Sequence, residues 1–433
     1  MPMVAPANVA RVLPAIATAL VLLVASIPAA AETPAPTKYW TATWASSPMS
    51  RPSLSPGTAL PESFENQTLR QRVRISLGGS QLRVRISNEF GATPLVIGAA
   101  TVAVAGTDSA LQPGTLRSLT FGGSPSVTIP AGAPALSDPV HLEVKELAEL
   151  NISLFLPHFA RADTLHPYED RPAYIVSGDS TARAELTGPN APEPATALAR
   201  FYLTRVEVCC SKPAATVVAF GDSTTEGGRA DNGWPSAFAR RLARHDGKTP
   251  AIAIVNAGIA GNRLLDEAIG PNAQARFDRD ALAVTGVTHV VVLEGINDLG
   301  FFDIKPFPLR TPAQLTARDL IGAYQQLIAR AHQRGIGIIG ATIMPFTGFD
   351  WLAGYFTPGK EPIRQEVNHW IRSSGAFDGV IDFEAAMRDP TDPVRLRKDV
   401  DSGDHLHPSD AGMVVMAESI DLGLFAKPAH TRQ

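Results

Sequence analysis

From residue 213 onward, short and almost purely apolar runs alternate with segments of helical periodicity. Such runs are typical of strands buried on both faces, which occur in parallel sheets covered by helices on both sides. A long amphipathic helix is predicted within 311–335, with Gly335 as its stop signal. The predicted strands are TVVAFG, AIAIVNAGI, THVVVLEG, IGIIGATIMP and GVIDFEAA. The pattern predicts an α/β domain with three α/β/α layers over residues 213–433.

Residues 38–208 have a different sequence pattern, in which short alternating strands are separated by Gly, Pro, Asn and Asp. This pattern predicts an antiparallel β-sandwich domain. The clearest segment, TLRQRVRISLGGSQLRVRISNEFG at 68–91, predicts a hairpin with an apolar face and a solvated arginine face. An alternative is that the arginines contact an acidic or sugar-rich ligand. Trp40 and Trp44 belong to the core or, alternatively, stack on carbohydrate.

Residues 1–31 have the layout of a secretory signal peptide. Arg11 precedes an apolar run at 12–27, and small alanines lead to a cleavage point after Ala31. A retained membrane anchor is the alternative, but two prolines interrupt or bound the run and no cationic stop follows. We therefore expect a secreted or periplasmic protein without stable membrane insertion.

The charge and the cysteine content bear on the expected partners and on disulfide formation. The formal net charge is −4 without a dense Lys/Arg cluster, whereas nucleic-acid-binding proteins need a basic face, so no nucleic-acid partner is expected. Cys209 and Cys210 are adjacent, and a disulfide between neighbouring residues is strained because their Cα atoms lie only about 3.8 Å apart. Two free thiols, a vicinal disulfide and an intermolecular bridge all remain open, and none implies chemistry.

Polar residues follow the predicted strands of the C-terminal half. Ser223 comes after the first strand, Gly261 after the second and Asn297 after the third, while the loop after the last strand carries Asp404 and His407. Because ligands bind beyond the carboxyl ends of parallel strands, we expect these residues to converge on one rim.

Ser223, His407 and Asp404 suit nucleophilic catalysis. A serine hydroxyl needs a base to take its proton, and the base needs a third group to hold its tautomer. The Asp-x-x-His spacing lets one short loop supply both partners. The backbone N–H groups of Ser223 and Gly261 and the side-chain amide of Asn297 would stabilise an oxyanion.

Each signal alone also has an ordinary structural explanation. Gly-Asp-Ser after a strand is often a turn, Gly261 suits a conformational glycine, and Asn297-Asp298 is typical of a helix cap. His405 and His407 together suggest a metal, but no further ligands stand at a useful spacing. Four motifs in order, each at a strand end, favour catalysis.

The C-terminal half resembles the SGNH hydrolases, also called the GDSL esterase/lipase family, in four sequence blocks. The blocks are FGDSTTEG, NAGIAGNRLL, EGINDLG and DHLHPSDAG. The resemblance implies a flavodoxin-like parallel-sheet domain in which Ser223 is the nucleophile, His407 the base and Asp404 the orienting acid. It also implies that Ser223, Gly261 and Asn297 are the oxyanion donors.

The resemblance covers about residues 213–427, and Thr224 is its one departure, standing where the older family name has leucine. Residues 38–208 look like the β-rich domain that precedes the catalytic domain in some secreted bacterial members, including ones resembling acetylxylan esterases. This second resemblance implies carbohydrate esters as substrates.

The expected function is that of a secreted serine esterase that removes short acyl groups, such as acetyl, from small-molecule or polysaccharide esters without a metal or cofactor. The alternatives are a lipase, lysophospholipase or thioesterase on longer acyl chains, an acyltransferase, and a polysaccharide-binding protein with a vestigial hydrolase domain. Phe301, Phe302, Phe346 and Trp351 either line an acyl groove or pack as lid or core. The sequence does not determine the oligomeric state.

Overall fold

Antiparallel sheets form the N-terminal part of the chain, and helices alternate with parallel strands in the C-terminal part. This architecture comes from a computed structural model. The structure describes residues 39–51, 60–167, 171–187, 193–227, 233–244, 251–267, 269–305 and 314–426. The predicted signal peptide at 1–31 lies outside the described residues.

The N-terminal part consists of short strands. They are β1 Tyr39–Ala45, β2 Ser63–Phe64, β3 Gln67–Arg74, β4 Gly79–Ser87, β5 Leu95–Ile97, β6 Ala99–Val104, β7 Arg117–Ser118, β8 Val127–Ile129, β9 Pro134–Leu136, β10 Val140–Val144, β11 Glu149–Leu156, β12 Ala160–Arg161, β13 Leu165–Pro167, β14 Ala173–Ser177, β15 Ala195–Ala197, β16 Ala199–Phe201 and β17 Leu203–Cys210.

Two of the sheets in this part form a sandwich. The first has the strand order β1, β17, β4, β10, with β9 beside β4, and the second has the order β15, β14, β3, β11, β6, β7. The strands pair antiparallel in both sheets. Val84 and Val206 of the first sheet and Val73 and Ile152 of the second lie in one buried apolar cluster. The predicted antiparallel sandwich is confirmed.

The predicted hairpin at 68–91 is wrong. β3 pairs with β11 and β14, whereas β4 pairs with β17, β10 and β9. The Gly-Gly-Ser segment therefore carries the chain from one sheet to the other. A Cβ on Gly78 would lie 2.3 Å from the carbonyl oxygen of Val144, so this crossing is closely packed.

The arginines of this segment do not form a solvated face. Arg70 is fully buried and donates to the carbonyl oxygens of Ser109 and Arg183, each at 2.7 Å, because the loops that carry these residues cover the sheet. The other arginines pair with carboxylates. These pairs are Arg72 and Arg74 with Glu149, Arg83 with Glu207, and Arg85 with Glu89.

The C-terminal part contains one parallel sheet. Its strands are β18 Ala215–Gly221, β19 Ile252–Gly258, β20 Val287–Leu293, β21 Gly337–Ala341 and β22 Gly379–Ile381. Their order is β19, β18, β20, β21, β22, and every pair is parallel. The apolar runs therefore form strands as predicted. The last strand is shorter than its run because the Asp382 side chain accepts from Ala385 N and begins a helix.

Helices cover both faces of the parallel sheet. They are α1 Ser223–Glu226, α2 Trp234–Ala243, α3 Ala273–Phe277, α4 Ile296–Phe301, α5 Ala317–Gln333, α6 Lys360–Ser373, α7 Phe383–Met387 and α8 Asp410–Ser419, with a π-helical turn at Asp278–Leu282 and a 3-10 helix at Leu422–Phe425. α3, α5 and α6 pack with Val218 and Val290 on one face, and α2, α7 and α8 pack with Val217 and Val291 on the other. The three-layer prediction is confirmed.

The two architectures meet within one compact unit, residues 38–433. The backbone N–H of Ala42 in β1 donates to the carbonyl oxygen of Thr285, just before β20, at 3.0 Å. The hydroxyl of Thr285 donates in turn to Glu207 of β17 at 2.6 Å. The predicted boundary at 208 falls inside β17 and the one at 213 falls between β17 and β18. The division into two domains stays a prediction.

Four residues with open interpretations lie in β1 and β17. Trp40 is half-buried, and the guanidinium carbon of Arg83 lies 4.3 Å from the centre of its ring. Trp44 packs against the sandwich core beside a cavity of about 90 Å³. Cys209 and Cys210 are free thiols, and burial raises the pKa of Cys210. Among the described residues, no helix has the length and apolar content needed to cross a membrane.

Candidate active site

Three neighbouring strands end at the same level of the parallel sheet. Gly221 at the end of β18 pairs with Gly258 of β19 and with Leu293 of β20. The loops that carry the predicted nucleophile and oxyanion donors therefore begin side by side. The side-chain amide of Asn297 donates to the carbonyl oxygen of Asn262 at 3.0 Å and joins two of these loops.

The structure brings Ser223, His407 and Asp404 together. Ser223 Oγ lies 2.9 Å from His407 Nε2, and His407 Nδ1 lies 2.6 Å from Asp404 Oδ2. Because a carboxylate only accepts, Nδ1 carries the proton, and Nε2 accepts from the serine hydroxyl. This is the hydrogen-bond order that a base needs to deprotonate serine.

The loop that carries His407 also holds Asp404 in place. Asp404 Oδ1 accepts from the backbone N–H groups of Leu406 at 2.9 Å and His407 at 2.7 Å, and from Ser402 Oγ at 3.0 Å. Burial raises the pKa of Asp404, but the hydrogen bond and charge of His407 and the two backbone N–H groups outweigh burial and hold the pKa well below its ordinary value. Asp404 is therefore anionic at neutral pH.

Ser223 is the first residue of the short helix α1. Asp222 caps this helix, since its side chain accepts from Thr224 N at 2.9 Å. A Cβ on Gly258 would lie 2.4 Å from Glu226 N, so a glycine at the end of β19 lets α1 pack directly on the sheet. The strand, cap and helix together present the serine hydroxyl above the strand ends.

The three predicted oxyanion donors lie just beyond the three neighbouring strand ends: Ser223 begins α1, Gly261 lies in the loop after β19, and Asn297 lies in α4. Ser223 N and Gly261 N have no acceptor among the described residues, and the Asn297 amide uses one N–H on Asn262. Gly261 has a φ of +75°, which favours glycine. Three N–H groups are thus available beyond these neighbouring strand ends.

A buried arginine, Arg276 of α3, connects the loops from below. Its guanidinium donates to the carbonyl oxygens of Gly221 at 2.9 Å and Ala257 at 2.7 Å, to Asn262 Oδ1 at 2.8 Å, and to Glu294 Oε1 at 3.1 Å. The sequence prediction missed Arg276, because nothing in its helical segment distinguishes a buried arginine from an exposed one.

The sequence prediction also missed the role of three buried carboxyl groups beneath the site. Burial raises the pKa of Asp222 to about 6 and that of Asp298 to about 7. Burial and the nearby charge of Asp222 raise the pKa of Glu294 well above its ordinary value. Asp298 does not cap a helix: it accepts from Leu264 N at 2.7 Å and Leu265 N at 3.0 Å.

The four aromatic residues that were candidates for an acyl groove differ in how far they are buried. Phe301 and Phe346 are buried, and both pack edge-on against Tyr355. Phe302 is half-buried with the Lys360 ammonium 4.9 Å from its ring centre. Only Trp351 of this group is largely open to solvent, with 74% of its surface exposed.

His405 is separate from the central histidine. Its Nδ1 lies 2.7 Å from Asp401 Oδ2, and its φ is +66°, which is unusual for a residue other than glycine. In the part of the chain that the structure describes, no group of three or more His, Cys, Asp or Glu side chains is placed to hold a metal ion.

The three-layer fold and the side chains at its strand ends define a class of protein, the hydrolases of carboxylic esters. Residues 219–415 match the model of the GDSL-like lipase/acylhydrolase family. The match lies within the predicted range of 213–427. No curated protein matches the chain.

Solved structures also resemble about half of the chain. A putative lipolytic protein of the G-D-S-L family from Desulfitobacterium hafniense DCB-2 is 23% identical, with 47% of this chain and 96% of that chain covered and a TM-score of 0.35. An acetylxylan esterase from Geobacillus stearothermophilus is 22% identical, with coverage of 48% and 94% and a TM-score of 0.37. A GDSL-like lipase from Bacteroides thetaiotaomicron VPI-5482 is 18% identical, with coverage of 48% and 87% and a TM-score of 0.37.

Proposed function

We propose that the chain is a secreted serine esterase that hydrolyses short acyl esters of carbohydrates through Ser223, His407 and Asp404. The observation that carries this proposal is the hydrogen-bonded series from Ser223 Oγ to His407 Nε2 and from His407 Nδ1 to Asp404 Oδ2, at 2.9 Å and 2.6 Å. A serine with this connection is activated for attack, whereas a turn serine needs no such partner.

In the first half of the reaction, His407 Nε2 takes the proton of Ser223 as Oγ attacks the ester carbonyl carbon. The negative charge on the carbonyl oxygen is stabilised by Ser223 N, Gly261 N and Asn297 Nδ2. The carbon–oxygen bond to the alcohol then breaks, and His407 gives its proton to the leaving alcohol. The anionic Asp404 stabilises the imidazolium throughout.

In the second half, water attacks the acyl-enzyme while His407 takes a proton from it. The tetrahedral intermediate collapses, the bond to Ser223 Oγ breaks, and His407 returns the proton to Oγ. The carboxylic acid leaves, and the enzyme is restored. No step requires a cofactor.

The preference for a short acyl group is supported by the packing near the site. Phe301 and Phe346 are buried against Tyr355, so they are not open to a long acyl chain. The exposed indole of Trp351 is suited to stacking on a sugar ring, which supports a carbohydrate as the alcohol part of the ester.

The test is hydrolysis of p-nitrophenyl esters from acetate to palmitate by the mature protein. Activity that falls with acyl length supports the proposal, and a maximum at long chains favours a lipase. Ser223→Ala and His407→Ala are expected to lose nearly all activity. His405→Ala is the matched control, since His405 contacts Asp401 instead of the serine, and it should retain most of the activity.

Secretion is tested separately by mass spectrometry of the exported protein. Cleavage after Ala31 would leave Glu32 as the first residue. An intact N-terminus would contradict secretion by this route. If the wild type and Ser223→Ala are equally inactive on every ester, the enzyme proposal fails, and glycan binding by residues 38–208 becomes the function to measure.

A further inference from the structure

A tyrosine outside the four sequence blocks contacts one of the oxyanion donors. The hydroxyl of Tyr355 lies 2.8 Å from Asn297 Oδ1, and both side chains are buried, with exposures of 1% and 4%. The reaction described above assigns no role to Tyr355. Its ring is placed by the loop between β21 and α6, far in sequence from Asn297.

The directions of the hydrogen bonds around Asn297 are determined by its partners. The carbonyl oxygen of Asn262 can only accept, so the group that faces it at 3.0 Å must be the Asn297 NH₂. Asn297 Oδ1 therefore faces Tyr355, whose hydroxyl must donate. The orientation of the amide is thus fixed at both ends, and its second N–H remains available for an oxyanion.

Tyr355 is itself rigidly held. Its ring packs against Phe301, Phe346 and Phe349 with ring centres 5.0, 5.9 and 4.7 Å away. Lys360 Nζ donates to the backbone carbonyl of Tyr355 at 3.1 Å. The hydroxyl position is therefore set by packing and does not depend on a bound substrate.

The chain also leaves space for this ring at the site itself. A Cβ on Gly300 of α4 would lie 2.1 Å from Tyr355 Cε2, so only glycine permits the ring to approach the helix that carries Asn297. Burial raises the pKa of Tyr355 well above its ordinary value, with further contributions from the nearby charges of Asp222 and Asp298. The hydroxyl therefore stays a donor at every pH at which the enzyme works.

We propose that Tyr355 is a positioning residue that keeps the free N–H of Asn297 directed at the oxyanion. This inference rests on the proposed function and deepens it. Without the hydroxyl, the amide is fixed only at its Asn262 end, and rotated orientations that bring Oδ1 closer to the developing charge become populated. Such orientations repel the oxyanion and slow acyl transfer without weakening binding of the neutral ester.

The test is Tyr355→Phe, which keeps the ring and removes only the hydroxyl. We expect kcat for p-nitrophenyl acetate to fall about tenfold, with KM within about twofold of the wild type, because only the charged transition state uses the N–H. Tyr324→Phe is the matched control: Tyr324 is equally buried and donates to the carbonyl oxygen of Glu294 at 2.6 Å, but it does not contact an oxyanion donor.

A double-mutant cycle separates positioning from structural support. Asn297→Ala is expected to lower kcat about 10²- to 10³-fold, and adding Tyr355→Phe to it should lower kcat no further. If Tyr355→Phe lowers kcat by the same factor in both backgrounds, or if Tyr324→Phe has the same effect, the inference is overturned. Titration with a serine-reactive phosphonate counts the folded active sites, so partial unfolding cannot imitate a loss of kcat.

The outcome also distinguishes this inference from the proposed function. If turnover depends on Ser223 but Tyr355→Phe retains full kcat, the positioning role fails and the esterase proposal stands. If the wild type shows no turnover that depends on Ser223, both fail together.

Discussion

Asp298 is expected to make the protein less stable as the pH rises from about 4 to about 7. Its carboxyl group is completely buried, and its pKa rises from 3.8 to about 7. A group whose pKa is raised in the folded state contributes stability below its unfolded pKa and loses it as the pH rises through the folded pKa. A rise of about 3 pKa units corresponds to about 4 kcal/mol, lost between about pH 4 and pH 7.

The variant Asp298→Asn isolates this contribution. The amide cannot accept with both atoms from Leu264 N and Leu265 N as the carboxyl does, so the variant carries a penalty of about 1–3 kcal/mol. That penalty does not depend on pH. The difference in unfolding free energy between variant and wild type should therefore shift by about 4 kcal/mol in favour of the variant from about pH 4 to pH 8.

The assay is urea unfolding followed by circular dichroism across this pH range, with both proteins in the same buffers. Asp222 and Glu294 are common to both proteins, so their contributions largely cancel in the difference. Asp350→Asn, on an exposed loop, is the control and should follow the wild-type curve. Parallel curves of unfolding free energy against pH for Asp298→Asn and the wild type would refute the argument that burial dominates the pKa of Asp298.

Three further predictions concern the site. Arg276→Met should lower the unfolding free energy by about 3–5 kcal/mol in urea titrations, because buried Glu294 loses its cation, and adding Glu294→Gln should recover part of the loss. Gly261→Ala should cost about 1–3 kcal/mol at its φ of +75° and lower kcat/KM on p-nitrophenyl acetate, as a Cβ there would lie 2.5 Å from Ile269 Cδ1. Asp404→Asn should lower kcat on the same ester about 10⁴-fold with little change in KM, and wild-type kcat would contradict the tautomer argument.

The sequence was informative where the fold constrains its pattern strongly. Apolar runs predicted the parallel strands because a strand buried on both faces has little choice of residue. Parallel strands also end on one edge, so the position after each run predicted that the loops of Ser223, Gly261 and Asn297 would lie together. The Asp404 and His407 pair followed from local spacing, since both belong to one short loop.

The sequence was less informative where contacts are long-range. Alternation at 68–91 identified two strands but not their partners, because period two reports which face a residue occupies and not which strand lies beside it. Arg70 illustrates the difficulty: its acceptors, the carbonyl oxygens of Ser109 and Arg183, come from distant loops that cover the sheet. The alternation of apolar and polar residues is the same whether the arginine is buried or solvated.

Residues of the N-terminal antiparallel part contact the residues that hold Ser223 in the C-terminal part. Ser47, after β1, accepts from His166 Nδ1 through its carbonyl oxygen at 2.8 Å and from Arg276 through its hydroxyl at 3.4 Å. His166 Nε2 then lies 2.7 Å from the carboxylate of Glu226, the last residue of α1. The N-terminal part thus bonds both to the arginine beneath the strand ends and to the helix of Ser223, so the geometry of the serine depends on residues from both architectures.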